Sequence, residues 1–281
     1  MTNGKLYLVP TPIGNLKDIT LRALEVLKEA DIIAAEDTRQ TLKLLNHFDI
    51  KKTLVSYHKY NEQGKSCDII QKIGEGNVVA LVTDAGTPGI SDPGAVIVKK
   101  CIEQNIPFEV LPGATAITTA LVYSGLDTTR FLFRGFISRD SKERNQLIED
   151  IKDVKDSIII YESPYRLIST LTLLYENLGD RQIAVCRELT KMHEQIIRGN
   201  ILYVINHFKE NGVKGEIVIV ISGKSDEEIK KEKEEMWSNM SIEEHLIKVI
   251  SEGNNKKDAI KIVSKERGLA KKEVYKHSLE L

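Results

Sequence analysis

The stretch Thr83-Asp84-Ala85-Gly86-Thr87-Pro88-Gly89-Ile90-Ser91-Asp92-Pro93-Gly94 constrains this chain more than any other. It follows a short apolar run, Val78 to Val82, that reads as a buried strand, and it precedes Ala95 to Cys101, which reads as a helix. A connection between such elements needs only a few residues. Three glycines, two prolines and two aspartates crowded into it describe a path of fixed shape. Glycine permits positive φ and close backbone approach, proline stiffens the path, and each aspartate offers a carboxylate to polar or cationic groups. A lone tight turn would need far less. A strand end built this way reads as the floor of a small-molecule site.

The chain before this stretch alternates short strands with helices. Lys5 to Val9 reads as a strand, followed by the loop Pro10-Thr11-Pro12-Ile13-Gly14 and a helix with Thr20 as N-cap and Leu21, Leu24 and Leu27 on one face. The order strand, glycine-containing loop, helix is that of a nucleotide-binding opening. The loop is neither GxGxxG nor GxxxxGK[ST], and its two prolines remove donors that would cradle phosphates. A nucleoside or a cationic cofactor suits it better than a dinucleotide or triphosphate. Asp31 to Ala35 is a second strand ending in Glu36-Asp37-Thr38-Arg39, where Asp37 or Thr38 caps the next helix. Glu36 and Arg39 there either pair on the surface or act on a ligand. Thr53 to Tyr57 and Phe108 to Leu111 read as further strands, the latter followed by Pro112-Gly113-Ala114-Thr115-Ala116. This alternation argues for a parallel α/β sheet, with the three Gly- or Pro-rich loops (10–14, 84–94, 112–115) at its carboxyl-end edge, where ligands bind in open α/β sheets.

After Gly125 the pattern changes. Phe131 to Phe136, Ser157 to Tyr161, Gln182 to Cys186, Glu194 to Arg198 and Glu216 to Ser222 read as strands, with helices at Leu167–Tyr175 and Ile201–Lys209. This strand-rich region reads as a second α/β domain with some antiparallel pairing. The expected division is an N-terminal α/β domain over 1–125, a second over 126–223, a charged linker or exposed helix over 224–240, and a helical unit over 241–281. From Asn254 to His277 there are eight Lys or Arg against three acids. Two amphipathic helices, near Lys257–Lys265 and Lys271–Ser278, meet at Gly268 as in a helix-turn-helix. The basic bias raises nucleic-acid contact above an ordinary helical bundle.

Net charge of the whole is −1, so any nucleic-acid footprint must be local. Cys67, Cys101 and Cys186 form no CxxC and cannot all pair, which favours a reducing compartment. The chain runs almost at once into its first expected strand, leaving no room for a signal peptide, and no apolar run reaches membrane-spanning length. A cytoplasmic protein is expected. No His or Cys spacing supports a metal site.

Five motifs occur together and in order: Leu8-Val9-Pro10-Thr11-Pro12-Ile13-Gly14-Asn15-Leu16, Ala35-Glu36-Asp37-Thr38-Arg39, Asp84-Ala85-Gly86-Thr87-Pro88, Tyr161-Glu162-Ser163 and Arg187-Glu188-Leu189-Thr190-Lys191. Over about Lys5 to Gly223 the chain resembles the tetrapyrrole methylase superfamily, in its branch that acts on small-subunit ribosomal RNA. The tetrapyrrole branch carries a GDP-type sequence where this chain has Asp84-Ala85-Gly86, which agrees with the RNA branch. The resemblance implies S-adenosylmethionine bound in a cleft between two α/β domains, 2′-O-methylation of a cytidine in the decoding region of 16S ribosomal RNA, and a possible homodimer. It implies cofactor contacts from Pro12, Ile13, Asp84, Gly86, Thr87, Thr115, Ala116, Tyr161, Leu189 and Gly215.

Methyl transfer from a sulfonium needs donor and acceptor held in line, and a ribose hydroxyl gains from a general base or a lysine beside the developing alkoxide. Glu36, Arg39, Glu188 and Lys191 are the catalytic candidates, each with a structural ion pair as the plainer alternative. Asp84 and Asp92 read as loop braces and polar cofactor contacts. Arg39, Arg139, Arg144, Arg166, Lys191 and the basic tail are the expected contacts to the RNA or the assembled small subunit. Two other functions stay open: a small-molecule, tetrapyrrole-type methyltransferase, and a non-catalytic RNA-binding assembly factor.

Overall fold

The structure is a computed structural model that describes residues 4–238 and 240–279. The described residues of Met1–Ile151 and Asp156–Ser222 form one compact unit, and those of Lys152–Lys155 and Gly223–Leu281 form another.

The first unit opens with β1 (Lys5–Leu8), α1 (Leu21–Glu29), β2 (Ile32–Ala35), α2 (Thr38–His47), β3 (Thr53–Ser56), α3 (Glu62–Gly74), β4 (Val78–Val82), α4 (Ala95–Glu103), β5 (Phe108–Val110) and α5 (Ala116–Ser124). The strands form one parallel sheet in the order β3-β2-β4-β1-β5. Both faces are covered, which explains the unbroken apolar runs of β2 and β4. Val9, Leu27, Ile33 and Ala80 pack on one side, and Leu8, Ile69, Leu81 and Ile97 on the other. Thr20 caps α1 by accepting from Ala23 N, as its sequence position predicts. The buried face of α1 is Ala23, Val26 and Leu27, however, and Leu21 is 80% exposed. Leu27 is buried and Leu24 packs against the same cluster, so of the expected face only Leu21, at the first helical position, stands outside it.

A second sheet follows: β6 (Phe131–Phe136), α6 (Ser141–Lys152), β7 (Ser157–Glu162), α7 (Leu167–Leu178), β8 (Gln182–Arg187), β9 (Gln195–Asn200), α8 (Ile201–Asn211) and β10 (Ile217–Ile221). Its order is β6-β7-β10-β8-β9, with β6 and β7 parallel and the remaining pairs antiparallel. Ile217 at the start of β10 lies opposite both Glu162 and Arg187, the last residues of β7 and β8. Three chain segments distant in sequence are thereby brought to one sheet edge. Helix α5 packs against this second sheet, burying Ile117, Ala120 and Leu121 with Ile159, Ala184, Cys186 and Val220.

The second unit contains α9 (Asp226–Ser238), α10 (Ile242–Ser251), α11 (Lys256–Arg267) and α12 (Lys271–Ser278). The charged stretch thus forms a helix, and its Trp237 stacks on His245 at 3.6 Å. Ser241 and Glu244 close a capping box at the start of α10. Leu246, Val249, Ala259, Val263 and Val274 make the core, and Gly268 takes the left-handed conformation that ends α11. Among the described residues no helix is long and apolar enough to cross a membrane.

Leu81 is fully buried at the centre of the first sheet. Leu81→Ala is expected to lower stability by about 2–5 kcal/mol, read as a reduced urea midpoint.

Candidate functional site

The loops after β1 and β4 are neighbours because their strands are. Pro10 and Pro12 have no N–H, so Thr11 carries the donor of that tripeptide. Thr11 N donates to Gly86 O at 2.9 Å and Gly86 N donates to Thr11 O at 3.0 Å, while Thr11 Oγ1 donates to Thr83 O at 3.0 Å. Gly86 has φ +82, which a side chain would strain. The β1 loop also meets the loop after β8. Asn15 N donates to Thr190 Oγ1 at 2.9 Å, and a Cβ on Gly14 would lie 2.6 Å from that same oxygen. Gly14 is therefore needed for the two loops to approach.

These loops and the edge of the second sheet enclose a cleft of about 430 Å³, within the roughly 300–1,000 Å³ usual for a small-molecule site. Ile13, Ala116, Cys186, Leu189 and Val218 give it an apolar floor, with Gly86, Thr87, Thr115, Tyr161 and Gly215 around it. Five carboxylates line it, from Glu36, Asp84, Asp92, Glu162 and Glu216, and no Lys, Arg or His does. Burial pushes the Cys186 thiol up to about 12, so this cysteine belongs to the floor and is not a nucleophile.

The carboxylates differ in what holds them. Glu36 and Asp84 end adjacent strands and are braced crosswise: Asp84 N donates to Glu36 Oε2 at 3.4 Å, and Asp37 N donates to Asp84 Oδ1 at 3.2 Å. Both carboxyls are raised above their usual range, first by burial. Glu162 is a buried strut that accepts from Ser163 N at 2.7 Å and Thr170 Oγ1 at 2.7 Å. Asp92 is different. The reading of it as a loop brace fails, because its carboxylate takes no hydrogen bond or ion pair among the described residues. Burial, together with the charges of Glu36, Asp84 and Glu216, pushes it up to about 7.

Of the residues expected at a cofactor, Ile13, Asp84, Gly86, Thr87, Thr115, Ala116, Tyr161, Leu189 and Gly215 line the cleft, and Pro12 lies buried beside it. Of the four catalytic candidates, only Glu36 lines it. Arg39 is exposed and paired with Asp37 at 2.7 Å. Glu188 and Lys191 pair with each other at 2.9 Å, Lys191 reaches Glu216 at 2.9 Å, and Glu188 accepts from Glu216 N at 2.9 Å. This cluster ties the β8 loop to the start of β10. Gly215, at φ +90, passes so close to the Glu188 carboxylate that a Cβ there would overlap it. Among the expected RNA contacts, Arg166 donates to Ile137 O at 2.7 Å and lies 3.5 Å from Glu162, which makes it a structural residue; Arg139 is exposed. Sequence reasoning missed Glu216, Cys186 and Val218, which only the antiparallel register of β10 brings to the cleft.

S-adenosylmethionine carries a sulfonium, an ammonium and an adenosine. An apolar floor beneath a rim of carboxylates, with no cationic side chain to attract phosphate, fits that combination. The family profile described as "Tetrapyrrole (Corrin/Porphyrin) Methylases" matches residues 5–202. The chain is 46% identical over 273 residues to the ribosomal RNA small subunit methyltransferase I of Halalkalibacterium halodurans, covering 97% of this chain and 93% of that protein. It is 47% identical over 272 residues to the protein of the same name from Bacillus subtilis, with the same coverage. A solved diphthine synthase superposes with a TM-score of 0.66 at 18% identity, over 79% of this chain and 90% of that one, a likeness of fold alone. The chain belongs to the tetrapyrrole methylase family, among its ribosomal RNA small subunit methyltransferase I members.

Proposed function

We propose that this chain transfers the methyl group of S-adenosylmethionine to the ribose 2′-oxygen of a cytidine in the decoding region of small-subunit ribosomal RNA. The observation that carries the reading is the cleft lined by five carboxylates and no cationic side chain, on a fold shared with methylases. When bound, S-adenosylmethionine supplies an electrophilic methyl group on a positively charged sulfur. Ile13, Ala116 and Leu189 would pack against its adenosine, and Asp84 and Glu216 would offset its cationic end. Gly86 and Gly215 let the backbone approach it.

Glu36 and Asp92, both lining the cleft, would take up the proton that leaves the 2′-hydroxyl. A carboxylate near 7 is well matched to that task at physiological pH. Arg39, exposed beside the cleft residue Glu36 in sequence, contacts RNA phosphate. The Glu188–Lys191–Glu216 cluster holds the β8 and β10 edges of the cleft in place. Single-stranded or splayed RNA is the acceptor form, since a ribose inside a duplex is hard to align with an enclosed donor.

Radiolabelled S-adenosylmethionine supplied with small subunits lacking the modification is expected to place label on one cytidine ribose; no label in RNA overturns the reading. Asp92→Asn is expected to lower kcat/KM by about 10²-fold and to abolish a rise in rate through pH 7. An unchanged pH profile would exclude Asp92 as the acceptor. Stability moves the opposite way with pH. Because Asp92 rises from 3.8 to about 7 on folding, the native state holds the extra proton between those values, so stability falls as pH rises through that window. Asp92→Asn should therefore raise Tm by a few degrees at pH 8 and leave it unchanged at pH 4. Gly215→Ala, which forces a strained φ and displaces Glu188, is expected to weaken S-adenosylmethionine binding by about tenfold in calorimetry.

A further inference from the structure

The helices α11 and α12 leave a second concavity, of about 640 Å³, lined by Lys256, Lys257, Ile260, Lys261, Lys271, Lys272 and Tyr275. Five of these seven are lysines and none is an acid. All five lysines are exposed; Asp258 pairs with Lys261 at 2.9 Å and also interacts with the charge of Lys257, and among the described residues no ion pair holds Lys256, Lys271 or Lys272. Lys256 and Lys257 open α11, and Lys271 and Lys272 open α12. Those are the helix ends where the macrodipole is positive and lysine is disfavoured. Ala270, at the N-cap of α12, offers no side chain to the free N–H groups of that turn. Asp258 and Glu273 lie in the same first turns, yet the charged residues that line the groove itself are all lysines. A bound polyanion would offset their charge.

We propose that this groove binds the backbone of single-stranded RNA, with a base stacked on Tyr275, as a second binding site apart from the methyl-transfer cleft. Tyr275 is 53% exposed, and Ile260 forms the apolar base of the groove beside it. An exposed ring among exposed lysines is the pairing that single-stranded nucleic acid uses, stacking for the base and ammonium groups for the phosphates. An acidic peptide would satisfy the lysines but not the ring. The proposal rests on the reading of the chain as acting on ribosomal RNA.

The test uses the full chain and a short unstructured cytidine-rich oligoribonucleotide, with small subunits in parallel. Lys256→Gln/Lys271→Gln/Lys272→Gln changes only exposed side chains without ion-pair partners among the described residues, and an unchanged Tm will verify folding. The triple variant is expected to bind the oligonucleotide about tenfold more weakly and to show a slope of log affinity against log salt shallower by about 2. Tyr275→Ala is expected to cost about tenfold and Tyr275→Phe to retain affinity. With small subunits, KM should rise while kcat holds. Unchanged affinity and salt slope in the triple variant overturn the groove. So does tighter binding of polyglutamate than of RNA, with no effect of Tyr275→Ala. If the wild-type chain methylates RNA while the variant binds it as tightly, the groove alone is wrong; if the wild type labels no RNA, the functional reading falls instead.

Discussion

Two backbone hydrogen bonds, Thr11 N to Gly86 O and Gly86 N to Thr11 O, fix the relation between the two loops on which the cleft depends. Each loop alone is an irregular excursion with little internal bonding. Pro10 and Pro12 leave Thr11 N as the one donor of their tripeptide, and Gly86, at positive φ in the second loop, accepts from it. Because β1 and β4 are adjacent in the parallel sheet, this small antiparallel bridge extends their pairing past the end of the strands. Ile13 is then held as part of the floor, and Asn15 N is presented to Thr190 across the opening. The sheet positions the loops, and the bridge makes them one surface.

The first half of this arrangement was legible from residues near one another in sequence. The strand, loop, helix rhythm, the N-cap at Thr20 and the Gly- and Pro-rich loops are local signals, and a parallel sheet places them at one edge with no further information. The second half was not. Glu216 and Val218 enter the cleft because Ile217 pairs with Glu162 on one side and Arg187 on the other, contacts that span tens of residues and leave no periodic trace. Glu188 and Lys191 look reactive in sequence, at a strand end with alternating charge. The structure binds them to each other and to Glu216. Leu21 illustrates a smaller limit. Apolar spacing identifies a helix but does not fix which residue begins its buried face.

Asp92 shows where local chemistry misleads. Asp next to Pro in a turn is usually a loop brace, accepting from a nearby backbone N–H. Here Ser91 takes φ +63, and the Asp92 carboxylate stands in the cleft without such a donor. Its neighbours are other carboxylates, and their repulsion joins burial in disfavouring its charge. Gathering the charges of Glu36, Asp84 and Glu216 around the half-buried Asp92 is destabilising for the free chain. A cationic ligand offsets that cost, so the cleft gains most by binding a molecule that brings positive charge and no phosphate.

That requirement conflicts with the acceptor. A sulfonium favours an acidic cleft, whereas ribosomal RNA is a polyanion that such a cleft repels. One surface cannot serve both. With a net charge of −1 the chain has no general attraction for RNA either. The chain carries the two charges on different residues, carboxylates lining the cleft and lysines grouped on α11 and α12. On the proposed reading RNA would be held through residues remote in sequence from the cleft, and the donor by the carboxylates that line it.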